Sequence, residues 1–222
     1  MIYLGVPTYN GLIHHSTVGG LFNVAFLMGR QNVHVCVDVV PHDCFIGHAR
    51  SLMAKRFLSI PDATDMVMID ADVGFSDEDF DRLMKVDADI VCGIYPYKQD
   101  DEKYPAAALQ PIERRGKMVK LVYGPTGFMR IRRRVFEKLK NTVESYNDAT
   151  HGVMHDFFPC GRDGFLFRGE DTWFCRLATQ AGLEIWGLEG MKLKHTGTRT
   201  WEGEWTFDKP SEVKIIKTQK AA

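Results

Sequence analysis

The stretch MVMIDAD, residues 66–72, contains four apolar residues followed by two carboxylates in alternate positions. A short apolar run of this length is typical of a strand buried on both faces, as strands of parallel sheets are. In open α/β sheets, ligands bind at the carboxyl ends of the strands, which is where these carboxylates fall. The stretch therefore predicts both a central strand and a candidate site at its end.

Apolar runs and helical patterns alternate on both sides of this strand. Further strands are predicted over 2–6, 33–40 and 90–94, with amphipathic helices between them. The first helix is predicted to be capped by Ser16 and to bury the face Val18, Leu21, Phe22, Ala25 and Phe26; Ser76 is predicted to cap the third. The β-α-β-α-β-α-β order implies an α/β fold, with a Rossmann-like, mainly parallel sheet flanked by helices.

The second half of the chain is less regular than the first. A strand is predicted over 127–131, a long functional loop over 141–168, and a final strand over 184–188. A helix containing Trp173 is expected to end near Gly182. We expect one domain over residues 1–222, with halves at 1–100 and 101–209 and a peripheral tail from 210.

Composition excludes several classes of protein. The 222 residues carry 28 Lys and Arg against 29 Asp and Glu, and 45% are apolar, which is ordinary for a globular chain and excludes a disordered one. Without a basic excess we expect no nucleic-acid partner, and the run Arg130–Arg134 is predicted to be a solvated basic face. No signal peptide is visible, and no segment has the ~18 consecutive apolar residues of a membrane span.

The two carboxylates Asp70 and Asp72 have two interpretations. Hard oxygen ligands at a strand end suit Mg²⁺ or Mn²⁺, which commonly share their coordination shell with ligand phosphates. The alternative is a solvated acidic turn that leads into the next helix. His195 is likewise either a metal ligand or a hydrogen-bonded histidine at a strand end.

An ordered set of motifs over residues 2–200 resembles the GT-A glycosyltransferases, and is closest to compact viral and bacterial enzymes, including those of large algal viruses. The motifs are Pro7-Thr8-Tyr9-Asn10, Ala49-Arg50, Asp70-Ala71-Asp72, Gly124-Pro125-Thr126-Gly127-Phe128, Gly169-Glu170-Asp171 and His195. The resemblance implies a nucleotide-binding half, residues 1–100, and a smaller irregular half on the acceptor side. Five cysteines without a C-x-x-C pair, together with no visible signal peptide, favour a cytoplasmic location, in the host cytoplasm if the protein is viral.

The resemblance implies a role for each of these positions. The metal, Mn²⁺ or Mg²⁺, would be held by Asp70, Asp72 and His195, and an imidazole ligand favours Mn²⁺. The nucleotide-sugar donor, with UDP favoured and GDP possible, would be bound by Thr8, Tyr9, Asn10, Arg50, Asp70, Ala71, Asp72 and Lys194. The added positive charge could come from Lys194, Arg50 or Lys98, and Arg50 is preferred because it lies early on a helix that faces the carboxyl edge of the sheet. The cation would stabilise the charge that develops on the departing diphosphate.

Glu170 and Asp171 are the candidate catalytic residues. An inverting transferase needs a base for the acceptor hydroxyl, and Asp171 is the preferred one. The alternative is an ordinary acidic helix start, since helix N-termini attract carboxylates. A retaining transferase would need no such base.

The predicted function is metal-dependent transfer of a sugar to a hydroxyl of a glycan or glycoprotein. One alternative is a sugar-1-phosphate nucleotidyltransferase, although Pro7-Thr8-Tyr9-Asn10-Gly11 supplies no glycine-rich basic phosphate loop after the first strand. The other is a nucleotide- or carbohydrate-binding module without catalytic activity, from which the Glu170-Asp171 pair would distinguish an enzyme.

Overall fold

A computed structural model of the chain describes residues 1–207, and the predicted tail from residue 210 lies outside that range. The first part of the chain forms β1 (Ile2–Thr8), α1 (His15–Arg30), β2 (Val35–Pro41), α2 (Ile46–Leu58), β3 (Asp65–Ile69), β4 (Val73–Gly74), α3 (Asp77–Lys85) and β5 (Ile90–Gly93). The second part forms β6 (Arg114–Arg115), β7 (Met118–Leu121), β8 (Phe128–Arg132), α4 (Arg133–Leu139), β9 (Ser145–Asp148), β10 (Gly152–His155), β11 (Gly161–Asp163), β12 (Leu166–Arg168), α5 (Glu170–Gln180), β13 (Ile185–Leu188), β14 (Lys192–Thr196) and β15 (Thr200–Glu204). None of the helices within residues 1–207 has the length and apolar character needed to cross a membrane.

Eight strands form the central sheet, in the order β2-β1-β3-β8-β5-β13-β7-β6. Strands β7 and β8 run antiparallel to their neighbours, and the other six strands share one direction. Strand β8 inserts between β3 and β5, so the second half of the chain completes the sheet that the first half begins. The predicted α/β fold with a mainly parallel sheet is confirmed.

Helices cover both faces of this sheet, as predicted. Alternate residues of β3 divide between the two cores: Met66 and Met68 pack in the core that includes α2, α4 and α5, and Val67 and Ile69 in the core that includes α1 and α3. Burial on both faces accounts for the continuous apolar run of β3. It also places the first polar residue, Asp70, at the edge of the sheet.

The predicted apolar face of α1 is wrong. Phe22 and Phe26 are 72% and 69% exposed, and the cap is His14, whose side chain accepts from the Ser16 backbone N–H. The buried residues are Thr17, Gly20, Val24 and Met28. A Cβ on Gly20 would lie 2.8 Å from the ring of Phe75, so small residues let this helix approach its neighbours closely.

Two further predictions are wrong: the long loop over 141–168, and the strand over 184–188 as the final one. The loop forms two hairpins, β9–β10 and β11–β12, and β13 is followed by β14 and β15, which form a small sheet with β4. Strand β14 has one apolar residue, Leu193, among its five positions, and it pairs with a two-residue strand far away in the sequence. Neither feature gives a strong local signal for a strand.

The basic run 130–134 is not a uniformly solvated face. Arg130 is 2% exposed because it lies in β8 between two buried strands. Its guanidinium pairs with Asp65 at 3.2 Å and donates to the carbonyls of Val86 and Ala88. The run therefore contains a structural buried cation.

Candidate active site

Three distant segments hold Asp70 at the end of β3. Nη2 of Arg50 lies 2.7 Å from its Oδ1, and the hydroxyl of Tyr95 donates to its Oδ2 at 3.2 Å. Its backbone N–H donates to the carbonyl of Gly127 at 2.9 Å. Both carboxylate oxygens are occupied, so the side chain of Asp70 has a fixed orientation.

Arg50 joins this carboxylate to a second one. Its Nε lies 3.3 Å from Oε1 of Glu170, the first residue of α5. Burial alone would lower the pKa of Arg50, but the charges of Asp70 and Glu170 outweigh that effect and raise it. The buried Nη1 has no hydrogen-bond partner among the described residues, which leaves one cationic donor for a ligand or water.

Gly127 leaves the space that this cluster occupies. A Cβ at this position would lie 2.2 Å from Oδ2 of Asp70 and 2.3 Å from the hydroxyl of Tyr95. Any larger side chain would therefore displace the carboxylate. This close approach explains why a glycine occupies position 127 of the motif 124–128.

Asp72 faces a second cluster, which the pairing of β4 with β14 brings to the same edge of the sheet. In this pairing His195 is opposite Val73, and the N–H of Thr196 donates to the Asp72 carbonyl at 2.9 Å. Nε2 of His195 lies 3.6 Å from Oδ1 of Asp72, and the ammonium of Lys98 contacts the other oxygen. Asp72 thus lies between an imidazole and a cation.

Hydrogen bonding fixes the tautomer of His195. Its Nδ1 lies 2.9 Å from the carbonyl of Pro96, which can only accept, so Nδ1 carries the proton and Nε2 presents a lone pair towards Asp72. Burial lowers the pKa of His195 and favours the neutral ring. The ring packs edge to face on Tyr95, with centroids 4.8 Å apart. A neutral imidazole held in this way is the form that binds metals.

Glu170 and Asp171 begin α5 as predicted, but their environments differ. Glu170 is paired with Arg50, whereas Oδ1 of Asp171 accepts from the N–H of Thr172 at 2.6 Å. Burial first, and the charge of Glu170 second, raise the pKa of Asp171. Asp171 therefore holds a proton more readily than an ordinary aspartate does, as a general base must.

The remaining predicted residues lie in different positions. Thr8 is buried and its Oγ1 lacks a partner among the described residues, while Tyr9 is 74% exposed and Asn10 is exposed beside it. The carbonyl of Ala71 accepts from the backbone N–H of His14. Lys194 precedes His195 in β14, and its ammonium pairs with Glu202 at 3.3 Å. The cation beside Asp72 is therefore Lys98 and not Lys194.

Tyr95 is the site residue that the sequence did not indicate. Its side chain is buried between Asp70 and His195. Burial is the largest cause that raises the pKa of Tyr95 well above its ordinary value. Its position just after β5 was the available signal, because β3 and β5 end at the same edge of the sheet.

The structure brings together only part of the predicted metal set. Within residues 1–207, no group of three or more His, Cys, Asp and Glu side chains is arranged to hold a metal ion. Asp72 and His195 face each other, whereas Asp70 binds Arg50 and Tyr95. Any cation here would need further ligands from a bound substrate.

No protein-family model matches the chain, and no curated protein matches it either. Among solved structures, A197 from STIV is 17% identical with a TM-score of 0.54, and the match covers 88% of this chain and 85% of A197. This likeness shows a shared fold.

Two further neighbours have lower TM-scores. The catalytic domain of Drosophila beta1,4-galactosyltransferase 7, in complex with xylobiose, is 13% identical with a TM-score of 0.49; the match covers 84% of this chain and 64% of that domain. A mutant of the same enzyme was solved with manganese, UDP-Gal and xylobiose. The inositol-1-phosphate CTP transferase of T. maritima is 9% identical with a TM-score of 0.44, over 87% of this chain and 88% of that one. The solved structures similar to this chain thus include those of a glycosyltransferase and of a nucleotidyltransferase.

Proposed function

We propose that the chain is a glycosyltransferase that moves a sugar from a nucleotide-diphosphate donor, UDP in preference to GDP, to a hydroxyl of a glycan or glycoprotein. The observation that carries this proposal is the meeting of two clusters at the carboxyl edge of the sheet. One is the Arg50 ion pair with Asp70 and Glu170, and the other is Asp72 with His195. The ordered motifs that resemble the GT-A glycosyltransferases agree with it.

The residues present fit a divalent cation that is completed by substrate. Asp72 and the neutral imidazole of His195 supply one oxygen and one nitrogen, and the diphosphate of the donor would supply the other ligands. A nitrogen ligand favours Mn²⁺ over Mg²⁺. When bound, the cation would offset the negative charge that develops on the leaving diphosphate.

Residues of the chain orient the donor and remove the acceptor proton. The paired Asp70 and Glu170 keep Arg50 charged, and its Nη1, which has no partner within residues 1–207, would donate to an anionic ligand or to water. Tyr9 and Asn10, on the loop after β1, would lie along the base and ribose. In an inverting reaction, Asp171 accepts the proton of the acceptor hydroxyl.

Release of nucleoside diphosphate tests the proposal. The full chain, incubated with UDP- and GDP-sugars and Mn²⁺, should release the diphosphate slowly without an acceptor and faster with one. Asp72→Asn should lower this rate at least ~100-fold, the range expected when one transition-state charge contact is lost. Asp87→Asn, a 95% exposed carboxylate, is the matched control and should keep the rate.

Three results would contradict the proposal. Full activity of Asp72→Asn would remove the metal role of Asp72. Release of pyrophosphate from a nucleoside triphosphate and a sugar phosphate would indicate the nucleotidyltransferase instead. Calorimetric binding of nucleotide sugars without turnover would indicate a binding module.

A further inference from the structure

A cavity of about 890 Å³ lies between the segment 109–113, β7 and the length of α5. Most of its wall is apolar, and includes Leu109, Pro111, Ile112, Leu121, Val122 and Leu183. The site residues described above do not line it. An apolar cavity of this size accommodates a ligand of several hundred Å³.

One end of the cavity adjoins the candidate base. Thr172, the residue after Asp171, lines the cavity, and so does Tyr123. The pKa of Tyr123 is raised mainly by burial and secondarily by the charge of Asp171. A molecule in the cavity would therefore extend towards the position of the reacting hydroxyl.

The same end of the cavity carries an excess of positive charge. Asp163 is shared by two guanidinium groups: Arg176 lies 2.6 Å from one of its oxygens and Arg168 lies 3.5 Å from the other. All three residues line the cavity. Among the residues that line this end, two cations face one carboxylate, since Asp171 is not a lining residue, and this leaves one positive charge for an anionic ligand.

Charges at the other end of the cavity are balanced. There Lys120 lies 2.9 Å from Glu113 and 2.6 Å from Glu184, and Arg115, which does not itself line the cavity, lies 3.0 Å from Glu184, so two cations meet two carboxylates. An anionic group is therefore favoured only at the end lined by Arg168 and Arg176, and the apolar wall extends away from it.

The hairpin β11–β12 presents apolar side chains to solvent beside this cationic end. Asp163 is paired with Leu166 across a two-residue turn. Phe165, Leu166 and Phe167 are 103%, 55% and 74% exposed. Arg168, which lines the cavity, follows them directly. Contiguous exposed apolar residues of this kind mark an interaction surface.

We infer that the acceptor is an anionic amphiphile: a glycan whose carrier is an apolar chain joined through a phosphate. The chain lies in the cavity, the phosphate faces Arg168 and Arg176, and the hairpin tip meets the lipid phase from which the acceptor comes. This inference rests on the proposed transferase function and narrows its acceptor class.

Calorimetry with octyl phosphate, octanol and inorganic phosphate on the full chain tests the inference without a nucleotide sugar. Octyl phosphate should bind with a stoichiometry of one. Octanol should bind about tenfold more weakly, since it lacks the charge-assisted hydrogen bonds, and inorganic phosphate should show no measurable binding. Equal affinities for octyl phosphate and octanol, or binding of inorganic phosphate alone, would overturn the inference.

Two pairs of variants locate the site. Thr179→Trp, on an exposed position of α5 that lines the cavity, should abolish octyl phosphate binding, whereas Asn23→Trp on the exposed face of α1 should not. Arg176→Gln should weaken the binding of octyl phosphate and leave the binding of octanol unchanged. Asp163→Asn, which removes the competing carboxylate, should strengthen the binding of octyl phosphate. A normal affinity in Thr179→Trp, or the same sign for the last two variants, would place the amphiphile elsewhere and overturn the assignment.

The outcomes for the acceptor and for the transferase are separable. A chain that hydrolyses nucleotide sugars but does not bind octyl phosphate overturns the acceptor class alone. A chain that binds octyl phosphate in this pattern but turns over no donor supports the amphiphile site and contradicts the transferase.

Discussion

The buried Arg50 and the partly buried Asp70 form an ion pair, with 2.7 Å between Nη2 and Oδ1, at the edge where the candidate site lies. The pair joins the first turns of α2 to the end of β3, and the contact from Nε to Glu170 adds the start of α5. One guanidinium therefore compensates two carboxylates from distant parts of the chain. Its removal would leave two negative charges facing each other with little solvent.

Arg50→Ala should destabilise the fold strongly. Removal of one partner of a buried pair leaves uncompensated charge and costs about 3–5 kcal/mol. Arg56→Ala is the control, because Arg56 pairs with Asp38 at 2.8 Å but is 42% exposed, and such pairs contribute less than about 1 kcal/mol. Urea unfolding followed by circular dichroism would measure both free energies. Equal losses in the two variants would contradict the structural role of Arg50.

Gly127→Ala should disturb the site through Asp70. The added Cβ would lie 2.2 Å from Oδ2 of Asp70, so the carboxylate must move away from Arg50 and Tyr95. We expect a loss of about 1–3 kcal/mol of unfolding free energy, as for other overpacked positions, together with loss of donor hydrolysis.

Gly19→Ala is the matched control for this substitution. Gly19 lies inside α1 with nothing within 4 Å of an added Cβ, so alanine should stabilise the helix by up to about 1 kcal/mol. Equal stability and hydrolysis in Gly127→Ala and the original chain would show that Asp70 does not need its observed position.

Local signals in the sequence were sufficient to predict the strand that ends at Asp70 and the start of α3. The apolar run before Asp70 defines a strand buried on both faces, and Ser76 caps α3 as predicted, accepting from the N–H of Asp79 at 3.0 Å. Both predictions depend on neighbours in sequence, so no knowledge of packing was needed.

Packing decided the features that the sequence did not predict. In α1 the buried stripe through Thr17 and Val24 has the same period as the predicted stripe through Phe22, and only the close approach of Gly20 to Phe75 selects between them. The position of His195 depends likewise on the pairing of β14 with β4, which no local pattern encodes.

Manganese should raise the thermal stability of the chain in a way that depends on Asp72. A ligand that binds only the folded state at 100 times its dissociation constant adds about 2.7 kcal/mol, which corresponds to a rise of several degrees in Tm for a chain of this size. Diphosphate must be present, because Asp72 and His195 supply only two ligands. A thermal melt with UDP and MnCl₂ measures the shift. Asp72→Asn should lose it and Asp87→Asn should keep it; an equal shift in both would place the cation elsewhere.

Asp171→Asn should stabilise the fold at neutral pH while it abolishes transfer. Burial first and Glu170 second raise the pKa of Asp171 above its ordinary value of 3.8, so the folded state prefers the protonated form. The protonated form adds stability at pH values below the pKa that Asp171 has in the unfolded chain. This contribution is lost as the pH rises through the pKa that Asp171 has in the folded chain, where the buried carboxyl group ionises.

The amide of the Asp171→Asn variant never ionises, and its oxygen can still accept from the N–H of Thr172. Unfolding free energies measured from pH 3 to pH 8 should therefore coincide at the acidic end and diverge above it, with the variant more stable. Transfer by the original chain should fall as pH is lowered through the same range, because the base becomes protonated. Asp101→Asn, at an exposed carboxylate, should leave both profiles unchanged. A variant that is less stable than the original chain at pH 7 would show that the charge of Asp171 stabilises the fold and would contradict its assignment as a base whose pKa burial raises.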